Sequence, residues 1–141
     1  PERLTAFAQL QTQPHPGFPT DMQAQMMAAA SLAKGTSVVV ENVFENRFAH
    51  AGDLNRMGAN ILINGRTAVI RGVERLSGVR VTARDLRGGA ALAIAGLAAQ
   101  GETIVERARL IDRGYEHLET ALSHLGADIQ RISAEKGEKH P

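Results

Sequence analysis

An α/β fold assembled from a repeated β-α-β-α-β unit is predicted by three observations. Strand-like, β-branched runs alternate with alanine-rich helical runs along the chain. The second half restates the first: Lys34-Gly35-Thr36-Ser37-Val38-Val39-Val40 aligns with Gln100-Gly101-Glu102-Thr103-Ile104-Val105-Glu106 at an offset of 66 (101 − 35), and Asn46-Arg47 falls on Asp112-Arg113 at the same offset. Arg56-Met57-Gly58-Ala59-Asn60-Ile61 then matches His124-Leu125-Gly126-Ala127-Asp128-Ile129 at an offset of 68 (126 − 58), which puts a two-residue insertion in the second copy. Third, the run Gly88, Gly89, Ala90, Ala91, Ala93 and Ala95 supplies the small side chains of a helix enclosed by other elements. A fold built twice from one unit can bring equivalent loops to a shared cleft. An arginine at the same point in each copy suits a small, doubly anionic ligand.

The elements follow in order. Leu4 to Thr12 alternates apolar and polar residues and predicts a half-buried strand. Pro14 to Pro19 is a rigid, proline-rich approach that excludes helix. Thr20 or Asp21 then offers an N-cap for a helix from Met22 to Ala33, with Met22, Met26 and Met27 in its core face and its end near Gly35. Ser37 to Val43 reads as a strand, and Phe48 to Met57 as a short helix closed by Gly58. Asn60 to Ile63 and Thr67 to Arg71 form a hairpin around Asn64-Gly65. The second copy repeats the order: strand at Arg80 to Ala83, helix at Leu86 to Ala99, strand at Thr103 to Ala108, helix at Tyr115 to Leu125 and strand at Asp128 to Ile132. Residues 133–141 are a charged tail.

Composition narrows the functional classes. A chain of 141 residues is one domain's worth and can bury a core. A net charge of +1 and 4% aromatic residues give neither the electrostatic footprint nor the stacking surface for nucleic acid. With no cysteine there is no disulfide framework and no thiolate ligand or nucleophile. No apolar run reaches spanning length and no charged-then-apolar leader opens the chain, so membrane insertion is not expected and a soluble cytoplasmic protein is. Opening on Pro1-Glu2-Arg3, close to a strand-like pattern, the chain reads as a piece of something longer.

One aspartate and three charged segments carry the chemistry. Asp21 stands at a helix start, where a carboxylate is either a cap or, held by the stiff segment before it, a general base. Glu41-Asn42-Val43-Phe44-Glu45-Asn46-Arg47-Phe48 follows a buried-looking strand and reads either as a solvated loop anchored by Phe44 and Phe48 or as a binding segment. Arg84-Asp85-Leu86-Arg87-Gly88-Gly89 sets charges at a strand-to-helix turn, with glycines that allow backbone to approach a ligand. Leu110 to Tyr115 is the same kind of loop in the second copy. Each could be an ordinary charged surface, but Arg47, Arg87 and Arg113 together suit phosphoenolpyruvate or a related anion, because guanidinium grips phosphate and carboxylate through a planar fork. His50, near Arg47, could line the same cleft. The histidines lack metal-ligand spacing, and no Walker or dinucleotide fingerprint is present.

Five ordered strings bring a resemblance into view: Pro16-Gly17-Phe18-Pro19-Thr20-Asp21-Met22-Gln23-Ala24-Gln25, Val43-Phe44-Glu45-Asn46-Arg47-Phe48, Leu76-Ser77-Gly78, Asp85-Leu86-Arg87 and Ile111-Asp112-Arg113-Gly114-Tyr115. From about Leu4 to Ile132 the chain resembles the C-terminal part of the UDP-N-acetylglucosamine 1-carboxyvinyltransferases, within the enolpyruvyl transferase superfamily. The resemblance implies an inside-out α/β barrel of repeated β-α-β-α-β-β units. Residues 1–132 would be part of one such domain, in units of about 4–73 and 74–132. It implies transfer of enolpyruvate from phosphoenolpyruvate to the 3-hydroxyl of UDP-N-acetylglucosamine through a tetrahedral intermediate, the first committed step of peptidoglycan synthesis. Asp21 would contact the sugar hydroxyl and act as base. Val43, with Phe44 beside it, would bind the UDP-sugar; Arg47, Arg87 and Arg113 would line the anion cleft, and Asp85 would pair with them. No metal or organic cofactor is implied.

The resemblance also implies a missing portion. The family's reactive cysteine and its Lys-Asn pair belong to the other wall of the cleft, and the N-terminal part that carries them is the partner this wall requires. Two other readings stay open: a non-catalytic repeat-fold module for binding or scaffolding, and a shikimate-phosphate enolpyruvyl transferase, which shares the fold and the anion logic.

Overall fold

A computed structural model describes residues 4–13, 16–43, 47–114, 118–124 and 126–129. The first half forms a four-stranded sheet from β1 (Leu10–Gln11), β2 (Thr36–Val40), β3 (Asn60–Asn64) and β4 (Thr67–Arg71), in the order β1-β2-β4-β3. β1 runs parallel to β2, which requires a crossover; α1 (Gln23–Ala30) supplies it. β2 and β3 both pair antiparallel to β4. The hairpin turns through Gly65-Arg66, with Asn64 opposite Thr67 and Gly65 at φ 62°, so the glycine takes the left-handed position that the turn demands.

The second half repeats the crossover. β5 (Arg80–Thr82) runs parallel to β6 (Ile104–Glu106), with α3 (Leu86–Ala98) between them. Equivalent points have equivalent conformations: Gly35 and Gly101, which lead from helix to strand, lie at φ 109° and 86°. The bridges Thr5–Lys34 and Ser77–Gln100, both parallel, precede the two strand pairs. α2 (Ala51–Arg56) follows β2, while a 3-10 helix (Ala108–Arg113) and α4 (Leu118–His124) follow β6.

The elements are shorter than the pattern predicts, for local reasons. β1 occupies only the end of the Leu4–Thr12 run. Its register with β2 continues from Thr5–Lys34 to Leu10–Val39, but the Phe7 amide donates to Ser37 Oγ at 3.2 Å instead of to backbone. α1 ends early because the ladder tightens past Ser31: the Ser31 amide and Oγ both donate to the Met27 carbonyl, at 3.0 and 2.9 Å, and the Leu32 and Ala33 amides then turn to the Ala29 and Ala30 carbonyls, each at 3.1 Å. The predicted N-cap is absent: Thr20–Met22 is a 3-10 turn with Pro19 before it and no side-chain cap. The loop predicted at Leu110 to Tyr115 is largely the 3-10 helix, and Asp128 and Ile129 are not in a strand. The remainder of the last predicted strand and the tail lie outside the described residues.

One core holds both halves together. Met27, Leu54, Met57 and Ile70 from the first half and Val81, Ala91, Leu92 and Ala95 from the second form a single buried cluster. Met27 belongs to it, but Met22 is exposed, so the methionines divide between core and surface. α3 lies deep, as its composition predicts, with Gly88, Gly89, Ala90, Ala91, Leu92 and Ala95 buried. A Cβ on Gly89 would stand 2.8 Å from both Ala83 Cβ and Ile111 Cγ1, so the glycine is what allows the 3-10 helix to pack there.

Candidate functional site

The starts of α1 and α3 and the segment after β2 meet at one cleft, lined by Thr20, Gln23, Ala24, Arg47, His50, Asp85, Arg87 and Gly88. Asp21 reaches it through an ion pair: its Oδ1 lies 2.7 Å from Arg87 Nε. The Asp21 side chain is 63% exposed and that of Arg87 33%, so this pair contributes little to stability and remains open to exchange with an incoming anion. Asp85, not Asp21, is the capping aspartate. It is the N-cap of α3 and accepts from the Gly88 amide at 2.7 Å. Among the predicted site residues, the fold therefore brings Asp21, Arg47, Asp85 and Arg87 together from three separate segments.

The other predicted residues stand as follows. Val43 is half-buried and not among the residues that line the cleft; its amide donates to Glu41 Oε2 at 3.2 Å. Phe44 lies outside the described residues. Arg113 closes the 3-10 helix that packs on α3, and only its backbone is described.

Three participants were not assigned roles by the sequence strings, and all are buried. His50, suspected only as a neighbour of Arg47, packs its Cβ 3.1 Å from where a Cβ on Gly88 would sit. Its Nε2 is buried without a hydrogen-bond partner. Burial lowers its pKa from 6.5 to about 4, outweighing Asp85 and Asp53, which pull it upward; the imidazole is neutral near pH 7. Glu41 and Gln23 are each 1% exposed. Glu41 accepts from Thr20 Oγ1 at 2.8 Å and from Gln23 Nε2 at 3.1 Å, and the same Gln23 amide donates to the Arg47 carbonyl at 3.4 Å. Only their position at the end of β2 and the start of α1 could have flagged them, because their partners are 18 to 24 residues away.

Behind the cleft, Asp53 on α2 is buried and holds Arg56 at 3.2 Å and Arg84 at 3.0 Å, tying the first half to the residue that precedes Asp85. No three His, Asp or Glu side chains gather in metal-binding geometry among the described residues, and no helix there is long and apolar enough to cross a membrane. Chemically, the cleft sets the Arg87 guanidinium and the exposed Asp21 carboxylate against each other, with Arg47 among the residues that line it.

Comparison with known proteins supplies a context for this geometry. A sequence model of the family described as EPSP synthase (3-phosphoshikimate 1-carboxyvinyltransferase) matches residues 2–135. The chain is 56% identical over 131 residues to UDP-N-acetylglucosamine 1-carboxyvinyltransferase 2 of Caldanaerobacter subterraneus subsp. tengcongensis, covering 93% of this chain and 31% of the relative. It is 61% identical over 121 residues to UDP-N-acetylglucosamine 1-carboxyvinyltransferase of Koribacter versatilis, covering 86% and 28%. It thus spans about a third of the length of these relatives. Among solved structures, the enolpyruvyl transferase NikO from Streptomyces tendae superposes with a TM-score of 0.79 at 28% identity, over 90% of this chain and 29% of that one. An EPSP synthase from Acinetobacter baumannii gives 0.64 at 25% identity, over 80% and 27%.

Proposed function

The chain belongs to the EPSP synthase (3-phosphoshikimate 1-carboxyvinyltransferase) family, with the mixed α/β fold of the enolpyruvyl transferases, and from that premise we propose that it is one wall of an enzyme that transfers enolpyruvate from phosphoenolpyruvate to the 3-hydroxyl of UDP-N-acetylglucosamine. The observation that carries the proposal is the convergence of Asp21, Arg47, Asp85 and Arg87 on one cleft. Relatives at 56–61% identity bearing the UDP-N-acetylglucosamine name support this acceptor over shikimate 3-phosphate.

In this reading Asp21 removes the proton of the sugar hydroxyl, the oxygen adds to C2 of phosphoenolpyruvate as C3 takes up a proton from a donor on the other wall, and the tetrahedral adduct loses a proton from C3 as it expels phosphate, which restores the double bond. Arg47 and Arg87, with Arg113 from the 3-10 helix, hold the carboxylate and phosphate; Asp85 keeps the start of α3 in place, and Val43 and Phe44 hold the UDP-sugar. Binding phosphoenolpyruvate draws Arg87 away from Asp21 and leaves the carboxylate free to take the proton. Residues 4–73 and 74–132 are two repeat units of one domain, a division supported by the paired crossovers and by the matching glycine conformations. The remaining length of the relatives would supply the other wall, and the product would feed peptidoglycan synthesis in the cytoplasm, hence cell shape and division.

The test is phosphate release by the full-length protein carrying this chain, supplied with phosphoenolpyruvate and one acceptor at a time. Turnover with UDP-N-acetylglucosamine is expected. Turnover with shikimate 3-phosphate alone would move the chain to the other branch, and none with either would favour a non-catalytic module.

A further inference from the structure

Glu41 is a carboxylate buried at the end of β2, where a solvated residue would cost less. It accepts hydrogen bonds from three groups on two segments: Thr20 Oγ1 at 2.8 Å and the Val43 amide at 3.2 Å on Oε2, and Gln23 Nε2 at 3.1 Å on Oε1. Thr20 adjoins Asp21 in the 3-10 turn, and Gln23 passes the connection on to the Arg47 carbonyl. We propose that Glu41 is a positioning residue for the transfer reaction, fixing the turn that aims Asp21 against the backbone of Val43 and Arg47. The proposal rests on the reading of the cleft given above and adds to it a residue that touches no substrate.

The demand for a carboxylate is specific. Both oxygens accept, and the donors approach from two sides. A glutamine offers one acceptor oxygen and one amino group: in one orientation the amino group faces the Val43 amide, and in the other it faces Gln23, which must turn its own amide and give up the Arg47 carbonyl to accept from it. Glu41→Gln therefore loosens one side of the brace at nearly constant volume. A displacement of about 1 Å at a reacting group costs roughly 10²-fold in rate.

The experiment measures kcat, both KM values and Tm in the full-length protein with phosphoenolpyruvate and UDP-N-acetylglucosamine. Glu41→Gln is expected to lower kcat about 10- to 100-fold, with KM for phosphoenolpyruvate changed less than about threefold, because the arginines keep their contacts. Thr20→Val, which removes one donor, should lower kcat in the same sense, and Thr20→Ser, which restores the hydroxyl, should recover it. If Glu41→Gln does not fold, the threonine pair decides. A Glu41→Gln protein with normal kcat per folded molecule overturns the proposal, whatever its Tm, and so does a Thr20→Val protein with normal kcat. Asp21→Asn separates the two levels. If it is inactive while Glu41→Gln is unaffected, only the positioning role falls; if it works at the wild-type rate, or the wild type turns nothing over, the reading of the cleft falls and takes the positioning role with it.

Discussion

Asp21 occupies the second place of its 3-10 turn without capping it, and this separates two outcomes for Asp21→Asn in the full-length protein. Losing an exposed ion pair should cost at most about 1 kcal/mol, whereas losing a positioned base should cost roughly 10²- to 10⁴-fold in kcat. A folded variant with near-normal kcat would leave Asp21 as no more than the ion-pair partner of Arg87. His50 makes a prediction about pH. Its folded pKa of about 4 lies below the unfolded value of 6.5, so between these values the unfolded chain binds more protons. The stability from keeping His50 neutral is complete above about pH 6.5 and is lost as pH falls toward 4, a change on the order of 3 kcal/mol. Denaturation midpoints should therefore fall less between pH 7 and 4.5 in His50→Leu than in the wild type; equal slopes would refute the assignment. The exposed charges of the cleft were legible in the sequence because they stand in distinctive strings. Glu41 and Gln23 were not, because their importance lies in partners that only the crossover brings near.

At the scale of elements, order and type were legible and boundaries were not. The crossover helices, the hairpin and the buried character of α3 follow from alanine content, the Asn64-Gly65 signal and β-branched runs. The shortening of β1 accompanies a bond from the Phe7 amide to the Ser37 hydroxyl, and that of α1 a switch to i−3 backbone bonds after Ser31, neither of which leaves a trace in periodicity. The short 3-10 helix after β6 carries too few residues to show a period. Two glycines in different settings offer a test. A Cβ on Gly78 would collide with the Glu102 carbonyl, because the chain entering β5 crosses backbone against backbone there. Gly78→Ala should cost about 3 kcal/mol or more. Gly52 sits exposed in α2 with nothing near its open face, so Gly52→Ala should gain roughly 0.5–1 kcal/mol. Denaturant midpoints measure both, and equal effects would contradict the packing described.

On the proposed reading, the whole molecule is one wall of a two-walled cleft. Its cleft is open on the side of Asp21, and Ile94, Leu97 and Ile104 leave apolar surface around α3 and β6. Catalysis of this kind needs closure over the substrates and exclusion of water. The isolated 141-residue chain is therefore expected to release no phosphate from phosphoenolpyruvate in the presence of UDP-N-acetylglucosamine. Robust release would show that the proposed division of labour is wrong. The doubling was visible at this scale in the sequence. The single core spanning both halves was not, because a repeat gives the resemblance of two units and says nothing about how they lie on one another.

The ion pair between Asp21 and Arg87 makes the two halves non-interchangeable. The 66-residue spacing of the two glycine motifs also sets Thr20, the first residue of the 3-10 turn before α1, on Leu86, the first residue of α3, and therefore Asp21 on Arg87 (87 − 66 = 21). The same place in two copies of one unit thus carries opposite charges, and the copies touch there. Two first halves assembled in this manner would set aspartate against aspartate, and two second halves arginine against arginine. Neither half can therefore stand in for the other at this contact, and a symmetric pair of identical halves would lose the attraction found here.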